Sequence, residues 1–533
     1  MDLRQWFGMR LSRRRAIRDL CILAGVGIPI DAGIFAAHNV LASTSEKDTN
    51  HTQLESLGEG LPGLEEVWNW QVFMNNLGPR YTGNAAHRAY VDFLDTQFKA
   101  LGLDLAYDDY IFPRWEVRRT ALQLLSRDSQ QDVAVSSYYP YSGQTTPAGV
   151  EGELVYLGSL PEDGSPPEDV FSADLKGKIA LVDAPLPPMP LSEWYKVWAV
   201  YNPHGDTTFP ATMLRVPYHL FLVPGLAKAR EAGALGVIFA WTNVSEENAA
   251  DQYLPFPLPF PPFPDRGLQN LPALWVGRQA GDSLRHGAET GCKVRLTLEA
   301  DVIPNSPTRT LIAMLPGQSS EEVIIVNTHT DGPNAIEENG GLALLALAKY
   351  FARQPRSTRK RTLVFALTTG HFASAYLPSI VGVIERHPDL ILKTVAGLTI
   401  EHLGTREWID DPSGYHYHPT GLHELAWAYC PLKPEADLFL QSLQGTQAHR
   451  VAVLNPVTGP NPLDWHWLGE GLPLYLVGIP MIAYIAPPNY LLAGPAHGDI
   501  DKVDPTRMYG EITAFAKTLR RLDRVPALAL KGL

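Results

Sequence analysis

The chain has 533 residues, 45% hydrophobic and 19% charged, a composition that excludes a disordered protein and a length that exceeds one compact core. Its formal net charge of −13 argues against a nucleic-acid partner, which would call for basic patches. The three cysteines, Cys21, Cys292 and Cys430, show no CxxC spacing, so a sulfur-ligated zinc is not expected, and Cys292 and Cys430 form the one pair that an oxidising compartment could bridge.

At the N-terminus, "LSRRRAIRDLCILAGVGIPIDAGIFAA" sets Arg13, Arg14 and Arg15 before a moderately apolar run, with small residues after it. This is the order of an export signal of twin-arginine type, expected over residues 1–43 and directing the protein to the periplasm or the extracellular space. Asp31 interrupts the run, so no stable membrane span is expected after signal removal. Residues 44–60 are polar and read as a linker. From Gly63 to Leu103, apolar residues recurring at three and four predict helices, and "LAYDDYIFPRWEVRRTALQLL" then predicts strands. Near residue 146 the texture changes to short strands ("GELVYLG", "GKIALVDA") between Gly/Pro turns. "GLAKAREAGALGVIFA" follows as a helix and a strand, and a proline-rich loop spans Leu254–Gly267. A β-rich domain inserted over 146–304 is expected. From 305 to 525 strand and helix alternate, through "EVIIVNTHTD", "GGLALLALAKYFARQ", "RTLVFALTT", "TVAGLTIEHLG", "GIPMIAYI" and a last helix "DPTRMYGEITAFAKTLRRL". The pattern predicts an α/β domain built from 61–145 and 305–525, with a mainly parallel mixed sheet flanked by helices, and a tail over 526–533.

Ligands of open α/β sheets bind beyond the carboxyl ends of the strands. His329 and Asp331 follow one predicted strand, with Glu337 and Glu338 in the loop after them. His371 follows the next, Glu401 and His402 the one after, and His497 lies in the loop before the last helix. Imidazoles and carboxylates together are the donor set of zinc and similar metals. No dinucleotide fingerprint, phosphate loop or GxSxG elbow occurs in the sequence.

In order, "EEVIIVNTHTD", "NAIEENGGLALLALAKYF", "RTLVFALTTGHFAS", "GLTIEHLG", "LGEGLPLYLVGIP" and "PAHGDIDKVDP" resemble the zinc-dependent aminopeptidase and glutamate carboxypeptidase family, which also contains the glutaminyl cyclases. "LKGKIALVDA", "AREAGALGVIFA" and "LPALWVGRQAGDSL" resemble a protease-associated domain within the insertion. The resemblance implies His329 as a metal ligand with Asp331 supporting it, Glu337 in the place of a bridging Asp, Glu401 in that of a later Asp, and His497 as the last His. Where the family carries a Glu-Glu pair, general base and second-metal ligand, this chain has His371 and Phe372. Phe372 cannot ligate a metal, so one divalent ion, zinc by the resemblance, is expected on His329, Glu337 and Glu401, with His497 or His371 as a fourth ligand and His371 alternatively as the base. The expected function is an exported metal-dependent hydrolase of peptides or other small amides. A non-catalytic binding protein and a single-metal cyclase or lyase are the alternatives.

Overall fold

The computed structural model describes residue 57 and residues 60–161, 170–186, 199–201, 225–255, 267–411, 416–456 and 467–530. The expected export signal, nearly all of the linker, most of the proline-rich loop, and Tyr415, Trp465 and His466 lie outside the described residues. The strands are β1 (Asp104–Leu125), β2 (Gln130–Val133), β3 (Ser137–Tyr138), β4 (Val150–Ser159), β5 (Lys178–Ala184), β6 (Ala199–Tyr201), β7 (Gly236–Trp241), β8 (Ala273–Val276) and β9 (Lys293–Leu315). They continue with β10 (Val323–His329), β11 (Thr362–Thr368), β12 (Thr394–Ile400), β13 (Arg406–Asp410), β14 (Tyr417–His423), β15 (Ala426–Tyr429), β16 (Val451–Leu454) and β17 (Met481–Ile485).

One large sheet runs β3-β8-β7-β5-β4-β9-β11-β10-β12-β17-β15-β16-β6, and β13 and β14 form a separate hairpin. At its centre β11, β10, β12 and β17 are parallel. Every residue of β10 is buried, as a parallel strand covered on both faces requires. The helix Gly340–Ala352 packs on β10, β11 and β12 and is in turn packed by the helices Leu64–Asn76, Ala85–Ala100 and Pro505–Arg524. All but two of its residues are buried, which is why its sequence is apolar all round. This is the helix-flanked, mostly parallel α/β architecture that the alternation of strand and helix predicts.

The expected insertion is tied into the same sheet by a long antiparallel ribbon of β1 and β9. β9 pairs with β11 at one end and with β4 at the other, beyond which β4, β5, β7 and β8 run parallel. Position 304 falls inside β9, and β3, before position 146, already pairs with β8. The ribbon carries bulges between Phe112 and Arg114 and between Val117 and Arg119. Pro113 and Pro304 fall at the first bulge, where a residue without an N–H interrupts no ladder bond. Strand β6 pairs with β16 at the far edge of the sheet. Among the described residues no helix is long and apolar enough to cross a membrane. Cys292 and Cys430 are both free, and Cys430 is fully buried.

Candidate metal centre

The parallel strands bring their carboxyl ends together. His329 closes β10 in register with Thr368 of β11, and Glu401 follows β12 directly. His329 is fully buried. Its Nδ1 donates to the main-chain oxygen of Asp331 at 2.8 Å, which fixes the proton on that nitrogen and leaves the lone pair on Nε2. Nε2 is buried and has no partner among protein atoms. Burial, then the neighbouring imidazoles of His371 and His402, hold the ring well below the usual histidine range, so it is neutral. The Asp331 carboxylate works on another segment. Its Oδ2 accepts from the Thr82 hydroxyl, from Gly370 N–H at 3.2 Å and from Phe372 N–H at 3.0 Å. Gly370, at φ 100°, supplies the left-handed turn that ends β11. The pinned turn lays the His371 ring on His329, with centroids 4.0 Å apart and planes at 15°.

Glu337 stands on a loop wired from both sides. The Asn334 amide donates to the carbonyls of Tyr490, Leu491 and Ala493 at 2.9–3.0 Å, and its Oδ1 accepts from the N–H groups of Ile336 and Glu337. Arg80, fully buried, donates to the Glu338 carboxylate, the Met74 carbonyl and the Asn334 carbonyl. Glu338 is thereby spent on Arg80. Burial raises its pKa to about 7, with Arg80 opposing. Glu337 instead faces His402, Oε2 to Nε2 at 3.2 Å, close but without well-aligned hydrogen-bond geometry. His402 donates from Nδ1 to the Ala486 carbonyl at 2.8 Å and sits at φ 59°. Its burial favours the neutral ring, yet Glu337 and Glu401 outweigh it and raise the pKa.

Ligand-competent atoms of His329, Glu337 and His371 lie within 4.8 Å of one another, and among the described residues this is the group that could hold a metal ion. Glu401 is next to it. Its Oε1 accepts from Glu470 N–H at 3.0 Å. A Cβ on Gly469, itself at φ 82°, would stand 2.1 Å from Glu401 Oε2. Burial raises the Glu401 pKa to about 7, against the pull of His402 and His371. Glu470 accepts from the Thr368 hydroxyl at 2.7 Å and from the Ser379 hydroxyl, and lies 3.4 Å from His371 Nδ1. Burial works against a charged His371, but Glu470, with Glu337 and Glu401 behind it, raises its pKa to about 9.

The site therefore gathers His329, Glu337 and His371, with Asp331 bracing both histidines and Glu401 alongside. His497 is not brought in. Its side chain is 76% exposed, 3.4 Å from Asp499. The loop is held through main chain, by Asn75 Nδ2 donating to the His497 carbonyl and Ala335 N–H donating to the Gly498 carbonyl, which leaves the ring in solvent. Tyr484 bonds Glu511 inside the core and Tyr475 stacks on Trp467. Phe372, 1% exposed, packs near Tyr81 and Tyr253. Glu470 escapes a reading of strand ends, whereas His402 is found by it but is given no role there. Glu470 gives a signal only through the "GEGLP" turn.

No family model matches this sequence, and no curated protein matches it. Solved structures do. The peptidase M28 precursor from Shewanella amazonensis SB2B superposes with a TM-score of 0.56 at 16% identity, over 87% of this chain and 93% of that one. BSAP, a zinc aminopeptidase from Bacillus subtilis, superposes with a TM-score of 0.54 at 16% identity, over 88% of this chain and 98% of that one. The fold is that of the zinc aminopeptidases. On this zinc-aminopeptidase scaffold the His329–Glu337–His371 group occupies the carboxyl edge of the parallel strands, where open α/β sheets bind their ligands.

Proposed function

We propose that the protein is an exported metal-dependent hydrolase of peptides or other small amides, working at one altered metal centre. The observation that carries the reading is His329 Nε2, a buried lone-pair nitrogen without a protein partner, aimed into a group that also holds Glu337 and His371. Two imidazoles and a carboxylate suit a divalent ion such as zinc. A polar atom buried without a partner is costly unless something binds it. A bound ion supplies Lewis acidity, polarising an amide carbonyl and acidifying a water.

The protein's own groups do the rest. The Asp331 carbonyl keeps the His329 proton on Nδ1, and its carboxylate holds the turn that carries His371. Glu470 orients His371 through Nδ1. Glu401, the buried carboxylate left beside the group, takes the proton of the attacking water and returns it to the leaving amine. Phe372 stands where the resemblance puts a second-metal carboxylate, which supports a single ion. The parallel strands β4, β5, β7 and β8 support reading the insertion as a protease-associated domain. Arg13–Arg15 support export, and cell fractionation of an Arg13→Lys/Arg14→Lys variant tests it by retention in the cytoplasm.

Metal analysis of the purified protein is the central experiment. We expect one divalent ion per chain, lost in His329→Ala and His371→Ala, retained in His497→Ala, and amide hydrolysis that chelation abolishes and metal restores. Two tightly held ions per chain would end the single-ion reading. An unchanged metal content in His329→Ala would end the site. Bound metal with no amide turned over across a peptide panel would shift the reading to a binding protein or to another single-metal reaction.

A further inference from the structure

A cavity of about 200 Å³ opens against Phe372, the residue after His371, where the β1 ribbon meets Tyr138, Tyr141 and Tyr253. Its walls are rings: Tyr81, Trp115, Tyr138, Tyr141, Tyr253 and Phe372. Tyr81 and Tyr253 stack with centroids 4.3 Å apart, Trp115 lies 5.5 Å from Tyr138, and Tyr253 lies 5.6 Å from Phe372. Tyr138 lies on β3, which pairs with β8, Tyr141 packs among the inserted strands, Tyr253 lies within the expected insertion, and Phe372 is the residue after His371. Thr82, also in the wall, is the hydroxyl that donates to Asp331.

Two features single this cavity out from ordinary core packing. Arg114, Trp115, Glu116 and Val117 all line it, and the two bulges of β1 lie immediately on either side of this stretch. Bulges turn side chains out of the regular alternation and recur near active sites. Tyr141 holds φ at 57°, a backbone region that costs a bulky residue about 1 kcal/mol or more, and its ring faces Trp115. A second cavity, also about 200 Å³, shares Tyr81, Val117 and Tyr138 with the first and continues toward Arg118 and Arg119. The two cavities together thus run from Phe372, the neighbour of His371, toward Arg118 and Arg119.

We propose that this cavity is a specificity pocket, built jointly by the inserted segment and the sheet, for one neutral ring-bearing side chain of the amide substrate. The proposal rests on the hydrolase reading given above. Size sets the class of guest. Benzene fills an apolar cavity of about 150 Å³, whereas pockets for drug-sized ligands start at roughly 300 Å³. Two hundred cubic ångströms therefore suits one ring and little more. Charge sets the rest. Arg114 and Glu116 both line the wall and neutralise each other as an ion pair, so the cavity offers a charged side chain no unpaired counter-charge, and a neutral ring is the guest it suits.

The test compares L-phenylalaninamide with L-alaninamide on the full chain, by calorimetric binding and by rate of hydrolysis. The phenyl compound should bind about tenfold tighter, within the range that apolar side-chain discrimination reaches. Val117→Phe, which fills the cavity from its half-buried rim, should bring the ratio of the two affinities toward one. Val117→Ala should instead favour the bulkier 2-naphthylalaninamide, a readout that a misfolded variant could not produce. Equal affinities in the unaltered protein, or a preference that survives Val117→Phe, overturn the pocket. If neither amide is hydrolysed, the hydrolase reading fails, and the binding ratios alone decide whether the ring is recognised.

Discussion

Replacing Arg80 by Met separates the architectural role assigned to Glu338 from a catalytic one. Arg80 and Glu338 are both fully buried, and the guanidinium also satisfies main-chain oxygens of Met74, Gly78 and Asn334. Removing one partner of a buried ion pair leaves an uncompensated charge and costs about 3–5 kcal/mol. That is a large part of the roughly 5–15 kcal/mol that holds a folded domain. At pH 8, above the pKa of about 7 that Glu338 has beside Arg80, the wild-type pair is ionised, and the variant should lose about 3–5 kcal/mol in urea denaturation. The Arg80→Met/Glu338→Leu double variant should recover at least half of the loss, because an apolar pair of similar volume leaves no buried charge behind. A single-variant loss below about 1 kcal/mol, or a double variant no more stable than the single, would refute the pairing as a structural brace.

Further outcomes follow from individual contacts. Gly469→Ala should abolish activity while leaving the fold, since the new methyl would stand 2.1 Å from Glu401 Oε2 on a backbone at φ 82°; wild-type turnover in a folded variant counts against the placement of Glu401. Glu470→Gln should lower the His371 pKa in the metal-free protein from about 9, as seen by NMR titration. The stability that His371 contributes is complete below its ordinary 6.5 and lost as pH rises through about 9, so the same variant should flatten that stretch of the pH–stability curve. Glu424 and Glu435 are raised from 4.5 to about 8, mainly by burial, which favours their neutral forms. Their contribution is complete below 4.5 and lost as pH climbs through about 8. Glutamine at either position should therefore leave stability unchanged at pH 4 and raise it by a few kcal/mol at pH 9. A pH-independent difference in urea melts would contradict this.

What the sequence exposes and what it hides divide along physical lines. β10, β11 and β12 are legible because parallel strands buried on both faces must be continuous apolar runs, and their ends announce His329, His371 and Glu401. The direction of a loop side chain has no such period. His497 and Glu470 both sit in turns beside single glycines, yet main-chain bonds turn the first into solvent while Thr368 and Ser379 draw the second against His371. Glu337 and Glu338 are adjacent and chemically alike, and only Arg80, far away in sequence, decides which of them enters the site. The β1 half of the ribbon is read as strands, but its long partner β9 and their pairing are hidden for a different reason. Residues 146–304 are assigned to an insertion that ends inside β9, and Pro304 and Pro307 interrupt the strand pattern there, while the structure absorbs Pro113 and Pro304 at a bulge.

That ribbon also couples the insertion to the central sheet. Leu125 pairs with Lys293 at its inner end and Asp104 with Met314 at its outer end, so every rung joins chain segments separated by the whole insertion. Such distant closure is entropically costly until the intervening chain has collapsed. The ribbon's inner rungs, at Leu125 and Lys293, depend on that closure, whereas the outer end of β9 meets β11 close to the start of β10. Excising the insertion would therefore also remove the inner rungs of a ribbon whose outer end is part of the central sheet, rather than merely trimming an appendage.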